Sequence, residues 1–270
     1  MFRRIPLIAL GIAATWAPAQ DARLAGTPLT AGQIENATVS EGISIPAPGE
    51  LFSAFAKTGR PDWSAMLRKS PTSAFTSRPQ IALNLGALIA DGCLAAEAQD
   101  KQQLKNAYRE IRALAKGLGL DRDLVSRSNS IADYADGGKW DVLSEMFDAV
   151  QHELAVAMES RHDHAFATLM TLGGWLRAVD VIGGHLATNY TPDAARALRQ
   201  PGVGTYFVGQ LAALPQKISA SPMIAALRRD VSEIHTALAF PAGHQPSAED
   251  VSKLKNLTAS IIAAIAVPEK

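Results

Sequence analysis

The chain has 270 residues, 47% of them hydrophobic and 19% charged, which allows one large domain or two small ones with a buried core. Basic and acidic residues each total 26, and this balance excludes the basic surface expected of a nucleic-acid-binding protein. The single cysteine excludes an internal disulfide, a cysteine-based zinc site and a c-type haem motif. No apolar run reaches the roughly 18 residues that would span a bilayer, so no transmembrane segment is expected in the mature chain.

The first nineteen residues follow the order of a secretory signal peptide. Arg3 and Arg4 precede the apolar stretch Ile5–Trp16, and Ala17-Pro18-Ala19 supplies the small residues of a cleavage site. We therefore expect cleavage after this tripeptide, leaving 1–19 as the signal peptide, and a periplasmic or secreted mature protein. Cys93 lies far inside the mature chain, so no lipid anchor is expected at a new N-terminal cysteine.

The prolines divide the rest of the chain. Eight of the fifteen lie at or before Pro79 and seven at or after Pro192, which leaves 112 residues between them without proline. Because proline interrupts helices, this alanine- and leucine-rich block favours long helices, with shorter ones on both sides. Residues 20–76 are interpreted as an irregular segment with short helices near Leu51–Lys57 and Trp63–Arg68, and 77–270 as the helical domain.

Apolar residues at alternating spacings of three and four predict a series of helices in this domain. The first begins with a capping box formed by Ser77 and Gln80, and Asp100 starts a second that Gly117 and Gly119 close. The others are predicted at Asp121–Ala135, Trp140–Ala157, His164–Leu186, Pro192–Arg199 and Thr205–Leu214, and after N-terminal caps at Ser221 and Ser247.

Period-two alternation is almost absent, so the sequence predicts an all-α protein, an antiparallel bundle of about seven to ten helices. One domain is favoured, and two four-helix-like units are the alternative. Leu85-Gly86 and Leu172-Gly173 each stand shortly before a bulky pair within a long helix. This similarity is explained either by duplication or by chance likeness between helices of similar composition. Glycine also permits close approach of helix backbones, which requires no common ancestry.

Glu159 and His162 have the spacing of a metal-binding motif. Di-iron bundles combine two Glu-x-x-His pairs with two further glutamates, and this chain has no second such pair. The pair also straddles a turn that we expect over Glu159–Asp163. Both residues are therefore weak metal candidates, solvated turn residues are the default interpretation, and no cofactor is expected.

His152 faces away from its helix's apolar seam, in line with Glu145 and Glu159, and an exposed histidine with acidic neighbours needs no function. His235 flanks a seam and His244 lies in a loop, and neither has a companion at ligand spacing in its own segment. Gly183-Gly184-His185-Leu186-Ala187-Thr188 resembles the Gly-x-His-x-x-Glu motif of imelysin-like periplasmic helical proteins over these six residues. Thr188 stands where that family has its glutamate, so the family's metal-linked role is not carried over.

Asp91, Arg177 and Asp180 lie in otherwise apolar helices, where an unpaired charge would be costly. We therefore expect an ion pair between Asp91 and Arg177 that fixes the register of two helices. A charged pocket for a small ligand is the alternative. Cys93 is interpreted as a small buried thiol.

No complete catalytic motif is found, so the sequence predicts a non-catalytic exported protein that binds a protein partner or acts as a scaffold. The alternative is a small-ligand or metal-binding bundle that uses Glu159, His162 or the Asp91–Arg177 region. The sequence identifies no particular partner.

Overall fold

A computed structural model of the chain describes residues 38–40, 43–69, 75–120, 124, 128–200, 202–240 and 244–269. The predicted signal peptide, 1–19, lies outside the described residues, as does most of the stretch 121–127 that was assigned to the start of a helix. The first described residues form a short antiparallel pair, Thr38–Ser40 with Ile43–Ile45, in which Val39 lies opposite Ser44.

Nine helices of at least nine residues follow in the described part of the chain, and they confirm the predicted all-α bundle. They are α1 (Pro48–Gly59), α2 (Arg78–Glu97), α3 (Lys101–Gly117), α4 (Ser128–Asp136), α5 (Trp140–Ser160), α6 (His164–Thr188), α7 (Val203–Ala212), α8 (Pro222–Leu238) and α9 (Ala248–Ile265). One-turn helices at Trp63–Met66, Pro192–Ala195, Arg196–Leu198 and Gln216–Ser219 lie between them. The turn expected between α5 and α6 is confirmed.

Helix α2 lies at the centre of the bundle. It packs most extensively against α6, and α3, α5 and α1 cover its other sides, while α9 packs on α6 and α8 packs on both α7 and α9. Every residue from Gln80 to Ala96 is buried. The sequence pattern predicted a single apolar seam on this helix, and the structure shows instead a helix enclosed on all sides, which its apolar and small residues permit.

By length and composition alone, two of the described helices, α2 and α6, could cross a membrane. In the bundle, 94% of the most apolar window of α2 and 83% of that of α6 are buried within the chain itself. A helix at the centre of a bundle must be apolar all round, so their position in the fold accounts for this composition.

The backbones of α2 and α6 come together at two glycines. A Cβ atom on Gly86 would overlap the carbonyl oxygen of Met170 and lie 2.7 Å from the amide nitrogen of Gly174. A Cβ atom on Gly173 would likewise overlap the carbonyl oxygen of Leu83. The two Leu-Gly segments that resemble each other in sequence therefore face each other, and close approach of the backbones explains their glycines without duplication.

Side-chain caps start several helices as predicted. Asp100 accepts hydrogen bonds from the amides of Gln102 and Gln103 at the start of α3, and Ser221 caps α8. Ser247 and Asp250 form a capping box at the start of α9. These short polar side chains satisfy amides that have no partner within the first helical turn.

The capping box predicted at Ser77 and Gln80 is wrong. Ser77 precedes α2 without a side-chain cap, and the Gln80 side chain is buried against the C-terminal end of α9. Gln80 Nε2 donates to the carbonyl oxygen of Ile265 at 2.9 Å, and Asn84 Nδ2 donates to the same oxygen at 2.7 Å. These amides satisfy carbonyls that the end of a helix leaves without intrahelical partners.

We expect Gly86→Ala to destabilise the protein, although alanine favours a helix over glycine by about 1 kcal/mol. The added methyl group would push α2 away from α6, and such overpacking costs about 1–3 kcal/mol. The matched control is Gly184→Ala in α6, because a Cβ atom there meets nothing within 4 Å. Urea unfolding should show G86A less stable and G184A at least as stable as the wild type. Equal stability of the two variants would contradict the close contact.

Candidate functional site

The structure brings Asp91 and Arg177 into contact at the interface of α2 and α6. Arg177 Nε donates to Asp91 Oδ1 at 2.7 Å, and Arg177 Nη1 donates to Asp180 Oδ2 at 2.6 Å, one turn further along α6. Asp91 is 8% exposed and Arg177 is 5% exposed. The ion pair therefore joins two helices within the protein interior.

A second arginine, which the sequence analysis missed, completes this group. Arg68 follows the one-turn helix Trp63–Met66, and its Nη2 and Nε donate to Asp91 Oδ2 at 2.7 and 2.9 Å. Arg177 Nη2 donates to the carbonyl oxygen of Met66 at 3.3 Å. We call Arg68, Asp91, Arg177 and Asp180 the Asp91 cluster. A single arginine at the end of a short predicted helix carries no periodic signal that would have identified it.

The charges in the Asp91 cluster balance, two positive and two negative. Burial alone would raise the pKa of Asp91, but Arg177 and then Arg68 outweigh it and hold that pKa below its ordinary value. Burial would lower the pKa of Arg177, whereas Asp91 and Asp180 raise it. Since each buried charge has an opposite charge within the chain, the cluster is a structural ion network.

We expect Arg177→Met to lower the free energy of unfolding by about 3–5 kcal/mol, because it leaves buried carboxylates without their main partner. The control is Arg78→Met, which removes the same side chain from an exposed 2.8 Å ion pair with Asp163. Loss of this pair, together with the stacking of Arg78 on the Phe166 ring, should cost at most about 2 kcal/mol. Chemical unfolding of both variants checks the difference, and similar losses would show that the buried network contributes no more than a surface pair.

A second buried polar group surrounds the first turn of α1. Asp148 Oδ1, from α5, accepts the amide hydrogen of Gly49 at 3.0 Å, and the Cys93 thiol lies 3.4 Å from the same oxygen. Glu50 Oε2 accepts the amide hydrogen of Ala47 at 2.9 Å. An anionic side chain at a helix N-terminus is favourable because the first amides have no intrahelical acceptors.

This group also contains polar atoms without hydrogen-bond partners. They are Glu50 Oε1, Ser144 Oγ and Gln151 Oε1, on side chains of residues that are 6–7% exposed. We call Glu50, Cys93, Ser144, Asp148 and Gln151 the Asp148 cluster. Ser144, Asp148 and Gln151 are spaced four and three along α5, a polar stripe beside the apolar seam that the sequence analysis did not single out.

Burial dominates the electrostatics of the Asp148 cluster. It raises the pKa of Asp148 to about 7, to which the nearby charge of Glu50 adds, while the Gly49 amide opposes the change. Burial likewise raises the pKa of Glu50. The pKa of the Cys93 thiol lies well above its ordinary value, again chiefly because of burial. Cys93 is thus a buried thiol, as the sequence indicated, and not an activated nucleophile.

His185, in the segment that resembles the imelysin-like motif, meets the other end of α1. Its Nε2 lies 3.1 Å from the carbonyl oxygen of Gly59, and its ring packs edge-on against Phe55. The Thr188 hydroxyl donates to the carbonyl oxygen of His185 at 3.1 Å. Helix α1 is therefore held at its N-terminus by Asp148 and at its C-terminus by His185.

The structure does not place Glu159 and His162 on one helix face. Glu159 is in the last turn of α5, whereas His162 lies in the connecting turn with a positive φ of 60°. The carboxylate of Glu159 contacts His164 at the start of α6 instead. In the described ranges, no three histidine, cysteine, aspartate or glutamate side chains form a group that could hold a metal ion.

An apolar groove of about 220 Å³ runs between α8 and α9. Its apolar lining residues include Met223, Leu227, Ile261, Ala264 and Val267. Two acidic residues, Asp230 and Glu269, also line it. Val267 is 66% exposed, so the groove is open beside the C-terminal end of α9.

No family model, curated protein or solved structure matches this chain.

Proposed function

We propose that the protein is an exported, non-catalytic helical protein that binds a segment of another protein in the groove between α8 and α9. The observation that carries this proposal is the open apolar groove lined by Ala264 and Val267. Its volume of about 220 Å³ is below the roughly 300–1,000 Å³ of most small-molecule pockets. Apolar side chains from a partner helix or extended segment fit such a groove better than a whole cofactor does.

The acidic lining of the groove favours one kind of partner. Asp230, on α8, and Glu269, beyond the end of α9, place carboxylates next to the apolar surface, where Arg229 pairs with Asp230 and the Ser221 hydroxyl donates to Glu269. A partner segment that presents apolar side chains flanked by lysine or arginine would match both features. Since exposed charge pairs act mainly on association rate, the apolar contact is expected to supply most of the affinity.

The buried polar groups support a binding role over a catalytic one. The Asp91 cluster pairs its charges internally, and the Asp148 carboxylate accepts an amide hydrogen at the start of α1. Both groups are thus engaged in holding helices together. This use of the charged side chains also argues against the small-ligand pocket considered for Asp91 and Arg177.

Ala264→Glu should abolish partner binding, because it adds a charge to the apolar groove at an exposed position. The matched control is Ala263→Glu, since the neighbouring alanine is also exposed in α9 but does not line the groove. Affinity capture from envelope extract should recover the same protein with wild type and A263E, and at least tenfold less with A264E. Equal recovery with both variants would contradict the proposed site.

A metal measurement distinguishes the alternative function. Near-stoichiometric iron, copper or zinc in the purified native protein would favour a metal-binding bundle over a partner-binding protein.

Export requires its own test. The mature protein should be found outside the cytoplasm with an N-terminus near residue 20, because the signal-peptide pattern ends at Ala19. Cell fractionation followed by N-terminal sequencing measures this directly. A cytosolic product that retains Arg3 and Arg4 would contradict export.

A further inference from the structure

The first turn of α1 is enclosed by polar side chains of α5. A Cβ atom on Gly49 would lie 3.0 Å from Ser144 Oγ and would overlap the Asp148 carboxylate, so the α1 backbone rests directly on these groups. Pro48, Gly49 and Glu50 are all buried. A change in the charge of the Asp148 cluster therefore changes how tightly the first turn of α1 packs against α5.

The Asp148 cluster contains buried acceptor oxygens that have no hydrogen-bond donor. The Gly49 and Ala47 amides each serve one carboxylate oxygen, while Glu50 Oε1 and Gln151 Oε1 have no partner. A carboxylic acid that carries its proton becomes an O–H donor, and a carboxylate is an acceptor only. One bound proton would add a donor to the cluster and remove one of two neighbouring buried negative charges.

The groups that face Asp148 are acidic or neutral. Glu50 reaches it from α1 and Cys93 from α2, with Glu97 of α2 and Asp141 of α5 one step further away. Helix α6 contributes the uncharged Gly174, whose position borders Gln151. Among the described ion pairs, none joins a lysine or arginine to Asp148 or Glu50, in contrast to the Asp91 cluster.

We propose that the Asp148 cluster is a pH-sensitive switch for α1: a proton held by its carboxyl groups seats the helix, and loss of that proton loosens it. This inference is independent of the groove between α8 and α9. The apolar face that a loosened α1 would uncover includes Phe52 and Phe55, which are fully buried and pack edge-on against Trp63.

The direction of the pH effect follows from proton linkage. An aspartate has a pKa near 4 when unfolded, and burial raises the pKa of Asp148 to about 7 in the fold. Because the pKa of Asp148 is raised when α1 is packed, its proton stabilises the packed position of α1 fully below about pH 4. This stabilisation decreases progressively as the pH rises to about 7. Helix α1 is therefore held more tightly at mildly acidic than at alkaline pH.

Hydrogen–deuterium exchange of the full chain at pH 5 and pH 8, corrected for intrinsic exchange, tests this switch. In the wild type, protection of the α1 amides should fall roughly a hundredfold between the two pH values, because a single linked proton is lost. Asp148→Asn keeps the acceptor for the Gly49 amide and has no proton to lose. Its α1 protection should therefore change much less than that of the wild type between the same pH values, since only Glu50 can then lose a proton.

Two further variants keep the test decisive. Glu145→Gln, at an exposed position of α5, should retain the wild-type pH dependence. Glu50→Gln removes the charge beside Asp148, so the hundredfold change in α1 protection should become at least about threefold smaller. This variant tests the proposal if D148N does not fold. His185 also contacts α1 and is present in all variants. A pH dependence of wild-type size in D148N or E50Q, or none in the wild type, would overturn the proposal.

Discussion

The direct contact between the backbones of α2 and α6 is the constraint on which the rest of the structure depends. Gly86 and Gly173 allow the two helices to approach until a methyl group at either position would overlap a carbonyl oxygen of the other helix. This approach leaves α2 enclosed by its neighbours. Every polar side chain on α2 between Gln80 and Ala96 must then find a partner inside the protein, because little water reaches it.

The polar residues of α2 meet that requirement by binding different neighbouring elements. Asn84, with Gln80, binds the last carbonyls of α9, and Asp91 binds arginines from α6 and from the segment before α2. Cys93 contacts Asp148 on α5. Apolar packing is tolerant of sliding, whereas a buried hydrogen bond is costly to break. These contacts therefore set the position of each neighbour along α2, which apolar seams alone would leave less defined.

The helices were predictable because their periodicity and caps are local signals, as at Asp100 and Ser247. The pairing of Asp91 with Arg177 was foreseeable for a different reason, since two opposite charges in apolar helices have few alternatives to pairing. The sequence could not reveal that Gln80 binds α9 instead of capping α2, or that Arg68 joins Asp91. Both depend on residues that are distant in the sequence, and Arg68 has no periodic signature of its own.

The two buried clusters differ in how their charge is compensated, and they therefore respond differently to pH. In the Asp91 cluster, arginines hold the pKa of the aspartate low, so its charge is constant over the physiological pH range. In the Asp148 cluster, amide hydrogens and a thiol face the carboxylates, so burial prevails and the charge changes near neutrality. Helices α2 and α6 are accordingly joined by contacts that do not respond to pH. Helix α1 is joined to α5 through a group that does respond, which makes it the element of this bundle best suited to move.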